Sequence, residues 1–313
     1  MSTTTIPPAL YKYLAPDPDR ASQILGKLRI RFSQVSVLND IDEFQPQYNV
    51  FSTRAETEKI ACEFLLRKYS TECANVYRKL PIGQADQVIN EMASNGADNL
   101  EKSFQEGKIV RDLYAKYDRD YGLLSLSETL TSKLMWSFYC DGGRGVVIEF
   151  APSDAWFNGK TADNDSFHHL RKVRYVDERE PMYLLDTKTD VDKREDAVLH
   201  TKTSEWEFEK EWRIIRNFTE AKEKVGPDDY GKDVWLFEIP PSAIRAVVFG
   251  YRAPPQLEAS LREIVTTNVN LKHIVFRRAV RDVNGHIEVV SSLPDAGCHT
   301  HSRFSNEWDR KGE

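Results

Sequence analysis

Four groups of residues in this sequence have the types and spacing for chemistry. Ser125 and Ser127 stand two apart in the run LLSLS. On a strand, that spacing points both hydroxyls to one face and Leu124 and Leu126 to the other. Two aligned hydroxyls can orient a sugar or a phosphate; small residues beside a crowded backbone give the same pattern. Met135, Trp136 and Tyr139 follow at helical spacing. Such a row is ordinarily a core face, although Trp and Tyr also stack on nicotinamide, adenine or another base. Asp141-Gly142-Gly143-Arg144-Gly145 then enters the apolar run VVIEF. Its glycines admit positive φ and close backbone approach, which suits a tight turn or a phosphate cradle with Arg144 nearby, but the Lys-Ser/Thr of a Walker loop is missing.

The fourth group is Glu209 and Glu211, in the run WEFEKEWR from Trp206 to Arg213. Two carboxylates this close repel, so one pKa rises, which suits general acid/base work or support of an oxocarbenium ion. The plainer account is that Glu207, Glu209 and Glu211 pair with Lys202, Lys210, Arg213 and Arg216. If a turn enters a strand here, Glu209 and Glu211 share one face, with Phe208 and Trp212 on the other. The serine stretch carries hydroxyls and rings but no well-placed acid, so the two segments are expected to form one site together.

Other chemistries find less support. No Gly-x-Ser-x-Gly elbow exists for Ser/His/Asp hydrolysis, and no histidine is nominated as partner for Cys140. The oxygen-rich segment VLNDIDEF (37–44) lacks the spacing and glycine of a calcium loop, so it reads as a solvated turn in which Asn39 and Asp40 cap local backbone, and no metal is predicted. Cys62, Cys73, Cys140 and Cys298 are widely spread and read as reduced, packing cysteines.

The elements that must position these groups are legible in outline. Leu10–Leu14 reads as a short strand, followed by a helix over 20–25 capped by Asp19 and ended by Gly26. KLRIRFS (27–33) alternates as a strand with Arg29 and Arg31 on one face. Residues 54–117 read as a helical insert with breaks near Pro81-Ile82-Gly83 and Asn95-Gly96. A polar loop over 154–166, a strand at 170–176, a charged helix over 183–202 and a strand at 212–216 follow. The run 220–232 reads as a loop. The last third reads as strand 234–239, strand 245–250, helix 254–266 and strand 273–280, the latter three forming a right-handed βαβ unit. Asn284-Gly285 then turns a hairpin into 287–291. The expected class is α+β: a mixed, mostly antiparallel sheet with flanking helices, in one domain spanning 1–313, with a loosely ordered tail from about 294.

Composition agrees with a soluble protein. In 313 residues, 40% are hydrophobic and 29% charged, and neither a long apolar run nor a signal-peptide pattern occurs, so a cytoplasmic location and no membrane partner are expected. The net charge of -6 does not suggest nucleic acid as a partner, although the stretch from His169 to Arg174 is locally basic.

Five ordered motifs carry a resemblance: LYKY; RIRFSQVSVLNDIDEF; LLSLSE followed by MWSFYCDGGRGVVIEF; the K-x-x-x-W-x-x-E-x-E-W-R run; and IPPSAIRAVVFG. Together they resemble the bacterial family catalogued as domain of unknown function 2971, over about 10–290. A looser similarity is to ADP-ribosyltransferases of the arginine, serine, glutamate class, which cleave NAD at its nicotinamide bond. That resemblance implies NAD as substrate, with Ser125 and Ser127 as the Ser-x-Ser strand and Glu209 and Glu211 as the Glu-x-Glu pair. Glu211 would hold a ribose hydroxyl and support the oxocarbenium ion, Arg29 or Arg31 would meet phosphate, and Trp136 or Tyr139 would stack a ring. A macromolecular acceptor, and a role in bacterial toxin or phage-defence biology, follow by the same analogy. The alternative is a non-catalytic module binding a nucleotide or a protein.

Overall fold

The computed structural model describes residues 5–40, 42–44, 48–49, 53–159, 167–179, 182–183 and 197–292. The fold is α+β. The strands are β1 (Leu10–Leu14), β2 (Arg29–Phe32), β3 (Tyr48–Asn49), β4 (Tyr121–Ser127), β5 (Val146–Phe150), β6 (Arg171–Lys172), β7 (Arg174–Val176), β8 (Met182–Tyr183), β9 (Thr201–Thr203), β10 (Glu211–Asn217), β11 (Glu223–Pro227), β12 (Asp233–Glu238), β13 (Ile244–Phe249), β14 (Val275–Arg281) and β15 (Ile287–Ser291). The helices are α1 (Pro18–Gly26), α2 (Arg54–Lys68), α3 (Ser70–Lys79), α4 (Ile82–Gln105), α5 (Lys108–Asp120), α6 (Lys133–Phe138) and α7 (Pro255–Thr267). No described helix is long and apolar enough to cross a membrane.

The main sheet runs β15-β14-β13-β5-β1-β4-β10-β6, and a second sheet runs β11-β12-β2. Within the main sheet β13 and β14 are parallel, joined through α7, and the other pairs are antiparallel. Strand alternation sorts the side chains onto two faces. On one face, Leu10, Leu14, Leu124, Leu126, Trp212, Ile214 and Phe249 pack with Leu25 of α1 and Leu261 of α7 in the main core. The opposite face carries two smaller cores. One surrounds Trp136 and Cys140 of the α6 region with Tyr13, Val147 and Val248, and the other joins Leu123 and Ile215 to Val35, Phe44 and Leu199.

Several sequence expectations need correction. The cap of α1 is Asp17, whose side chain accepts the Asp19 N–H at 2.9 Å, with Pro18 in the first turn where a missing N–H costs nothing. No break occurs at Asn95-Gly96. Gly96 lies inside α4, where a Cβ would sit 3.7 Å from Ala61, and small residues Ala61, Ala93 and Ala97 let α2 and α4 approach. The run 220–232 is a hairpin of β11 and β12. Its turn is held by Asp228, whose side chain accepts the N–H groups of Tyr230 and Lys232 at 3.0 Å. Of the charged helix expected over 183–202, residues 184–196 lie outside the described residues, 197–199 are helical, and Tyr183 and Thr201–Thr203 belong to strands β8 and β9. Residues 160–166 of the polar loop and the tail from 294 also lie outside them.

Candidate functional site

A cavity of about 680 Å³, within the range of small-molecule sites, opens where the two sheets diverge. One edge of β4 explains its position. Leu123 on that edge exchanges two backbone hydrogen bonds with Ser33, just beyond β2, at 2.8 and 2.9 Å. Four residues on, Ser127 pairs with Tyr11 of β1. Between these points no strand among the described residues pairs with Ser125 on this edge, and its carbonyl accepts instead from the Lys12 ammonium at 3.1 Å. Buried carbonyls need a partner, so a side chain completes what the splayed strands leave open. Lys12, Ser125 and Ser127 all line the cavity.

On the other edge of β4, β10 pairs through its whole length, with Glu211 opposite Ser127 and Arg213 opposite Ser125. Trp212 and Ile214 enter the main core, so Glu211 and Arg213 share the face of the two serines. Ser127 Oγ donates to the Glu209 carbonyl at 2.6 Å, and the Ser125 hydroxyl favours the charged form of Glu211. Glu209 ends the 3₁₀ turn Ser204–Glu209, and Lys210, at φ 45°, reverses the backbone before Glu211. Both glutamates thereby reach one ammonium: Lys202 Nζ lies 2.6 Å from Glu209 Oε2 and 2.8 Å from Glu211 Oε2. Arg213 Nε donates to Glu211 Oε1 at 2.6 Å, its Nη1 donates to the Leu199 carbonyl at 2.9 Å, and its Nη2 meets Glu43. Glu43, Lys202, Glu209, Glu211 and Arg213 are all buried. Tyr139 closes the cluster on the cavity side. Its hydroxyl donates to Glu209 Oε1 and accepts from Asn39 Nδ2 at 2.7 Å.

The electrostatics follow from this burial. Burial raises the Glu211 pKa, Lys202 opposes the rise and Glu209 adds to it. Burial pulls the Lys202 ammonium down, but Glu211 and Glu209 outweigh it and leave the pKa raised. The Tyr139 phenol is pushed up by burial and then by the charge of Glu209, so it remains a donor. The Lys12 ammonium is lowered to about 8, because burial exceeds the pull of Glu211. Such a wall can receive sugar hydroxyls on its carboxylates, stabilise a developing positive charge and offer the Lys12 ammonium to an anion. Among the described residues, no group of three or more His, Cys, Asp or Glu side chains is arranged to hold a metal ion.

Glu209, Glu211, Ser125, Ser127, Tyr139, Arg29 and Arg31 therefore line one cavity. Trp136 does not join them. It is fully buried, its indole N–H donates to the Leu130 carbonyl at 2.8 Å, and its ring packs edge-on against Tyr13 at 5.3 Å. Ring stacking on a ligand is closed to it. Arg31 pairs with Asp228 at 2.6 Å and Arg29 with Glu238 at 3.4 Å, so each guanidinium already has a carboxylate. Phe208 packs with the core around Trp136, away from Trp212. Gly143 and Gly145 serve close packing: a Cβ on Gly143 would meet the Tyr251 ring at 2.3 Å, and one on Gly145 the Leu14 carbonyl at 1.9 Å. Arg144 turns back to Asp141 at 3.3 Å.

The segment expected to be a solvated turn is instead half inside. Asp40 does cap the Asp42 N–H at 2.9 Å, but Asp40 and Glu43 are buried and Glu43 binds Arg213. The sequence reading set Lys12 aside, as a lysine between two tyrosines, in favour of Arg29 and Arg31. The signal was its phase: in LYKYL, Lys12 alternates with Leu10 and Leu14, both core residues, and not with the tyrosines.

Residues 135–214 match the family model described as Protein of unknown function (DUF2971). No curated protein matches the chain, and no solved structure does. The matched stretch is shorter than the span of the five motifs, but it runs from α6 into β10 and contains Tyr139, Lys202, Glu209, Glu211 and Arg213.

Proposed function

We propose that this cleft binds NAD or a closely related ribosyl nucleotide and breaks the bond between the ribose and its base. The observation that carries the reading is the β4–β10 register, which sets Glu211 opposite Ser127 and on the face of Ser125, on the wall of a cavity that also presents Glu209, Tyr139 and Lys12. In the reaction the bonding pair leaves with the nicotinamide nitrogen, and the ribose becomes an oxocarbenium ion. Glu211 supports that charge and holds a ribose hydroxyl, as a fixed carboxylate in a dry wall does far better than water. Water, or a hydroxyl or amine of a macromolecular acceptor, then attacks the anomeric carbon, and Glu209 takes its proton.

Phosphate binding moves, in this reading, from Arg29 and Arg31 to Lys12. The two arginines are engaged by Glu238 and Asp228, whereas no carboxylate forms an ion pair with the Lys12 ammonium among the described residues. One observation favours a second reading, a non-catalytic module for a nucleotide or a protein. Both glutamates are tied to Lys202 inside a buried cluster, and such pairs often serve specificity of structure. Incubating the wild-type protein with NAD and following free nicotinamide separates the two. Product accumulating with time supports the enzyme. A ligand-induced rise in melting temperature without any product supports the module.

A further inference from the structure

With Trp136 enclosed and the Tyr139 hydroxyl tied to Glu209 and Asn39, two strongly exposed rings line the cavity. Phe138, at the end of α6, is 67% exposed, and Tyr230, in the turn between β11 and β12, is 76% exposed; both line the cavity. They come from different sheets' surroundings, and each is held in place. Phe138 is backed by Phe208, with ring centroids 5.9 Å apart, and Phe208 in turn by Trp206 at 6.0 Å. Tyr230 is held through its backbone: the Asp228 side chain accepts its N–H, the Gly231 N–H donates to the Asp228 carbonyl at 2.8 Å, and Arg31 fixes Asp228 from β2. A large apolar ring kept exposed on a fixed backbone, at the mouth of a polar cleft, is a prepared surface for another flat ring.

We propose that Phe138 and Tyr230 form the base subsite of this cleft, taking the planar heteroaromatic ring of a nucleotide by stacking. The proposal rests on the reading that the cleft receives a ribosyl nucleotide, and it adds which residues receive the base and how selectively. Neither ring carries a charged group that would read base edges, so recognition is by area and polarisability. Adenine and guanine nucleotides should bind within a few-fold of each other, because every base has a π-face.

The test is calorimetric titration of ADP-ribose and of ribose 5-phosphate into the wild-type protein and into Phe138→Ala, Tyr230→Ala and Tyr230→Phe. Both side chains are exposed, so all three variants should keep the wild-type melting temperature within a few degrees. ADP-ribose should bind the wild type at least about tenfold more tightly than ribose 5-phosphate. Each alanine variant should lose most of that advantage, and Tyr230→Phe should retain it. Equal binding of the two ligands by the wild type, including detectable binding of neither, overturns the subsite, and so does an advantage that survives both alanine substitutions. Base-dependent binding that disappears in the alanine variants, in a protein that releases no nicotinamide from NAD, leaves the subsite standing and defeats only the catalytic reading.

Discussion

Glu211 lies directly across the antiparallel ladder from Ser127, on the sheet face that Ser125 shares. Two segments separated by more than eighty residues of chain thus meet on one face because β10 zips along β4 in register. A slip of one residue would turn Glu211 and Arg213 into the main core and Trp212 out of it. The register is therefore fixed by the burial of Trp212 and Ile214, and the site inherits its geometry from that core.

Lys202 is the charge on which the two glutamates depend. Replacing it by Met leaves Glu209 and Glu211 buried without their shared ammonium, which should cost about 3–5 kcal/mol of stability at neutral pH. The pH dependence has a definite sign. The folded pKa of Glu211 is already raised, so the folded state takes up a proton before the unfolded chain does, and the deficit of Lys202→Met should shrink as pH falls from 8 toward 5. Urea unfolding of both proteins across that range checks it; a deficit that is constant or grows in acid contradicts it.

Lys12 should show the opposite slope. Its folded pKa of about 8 lies below that of an unfolded lysine, about 10.4, so between these values the unfolded chain binds more protons and stability rises with pH. Lys12→Met removes that rise. It should also be more stable than wild type at pH 7, by about 1 kcal/mol once solvent screening of this half-buried group is allowed for. Affinity for a phosphate-bearing ligand should fall at least about tenfold in the same variant, the loss expected for a charge-assisted contact. Denaturation curves at pH 7 and pH 9.5, with a titration of ADP-ribose, measure all three.

The glycine turn before β5 gives a structural contrast. Gly145→Ala would drive a Cβ to 1.9 Å from the Leu14 carbonyl on β1, so it should unfold the protein or cost more than about 4 kcal/mol. Gly142 has φ 62° but open space around it, and Gly142→Ala should cost only about 1 kcal/mol. Because this turn serves packing, Gly142→Ala should leave nucleotide affinity unchanged. A large affinity loss in that variant would restore the phosphate cradle.

Much of this arrangement is legible in the residues themselves. LLSLS separates its serines from its leucines by simple alternation, and the strand, helix, strand order near the C-terminus implies the parallel pair β13 and β14. Misreadings arise where long-range packing decides. Gly96 looks like a helix break until Ala61 of α2 packs beside it. The hairpin of β11 and β12 hides behind Gly226, Pro227 and two aspartates, because its register comes from pairing with β2. Glu43 reads as part of a solvated acidic turn because its partner, Arg213, is 170 positions away. Trp136 and Phe138 are two residues apart on one short helix, yet one is sealed and the other exposed, a difference set by Tyr13, Val147 and Val248 packing on one side of α6. Residue type alone does not distinguish them.

The most direct measurement is the rate of nicotinamide release from NAD by the wild-type protein and by Glu211→Gln, compared at equal folded fraction, with Ser125→Ala as a milder change beside the same carboxyl. Loss of a preorganised charge beside the reacting ribose should slow Glu211→Gln by about 100-fold or more and Ser125→Ala by a smaller factor. Release by Glu211→Gln at the wild-type rate would contradict the central claim that this carboxyl supports the reacting ribose.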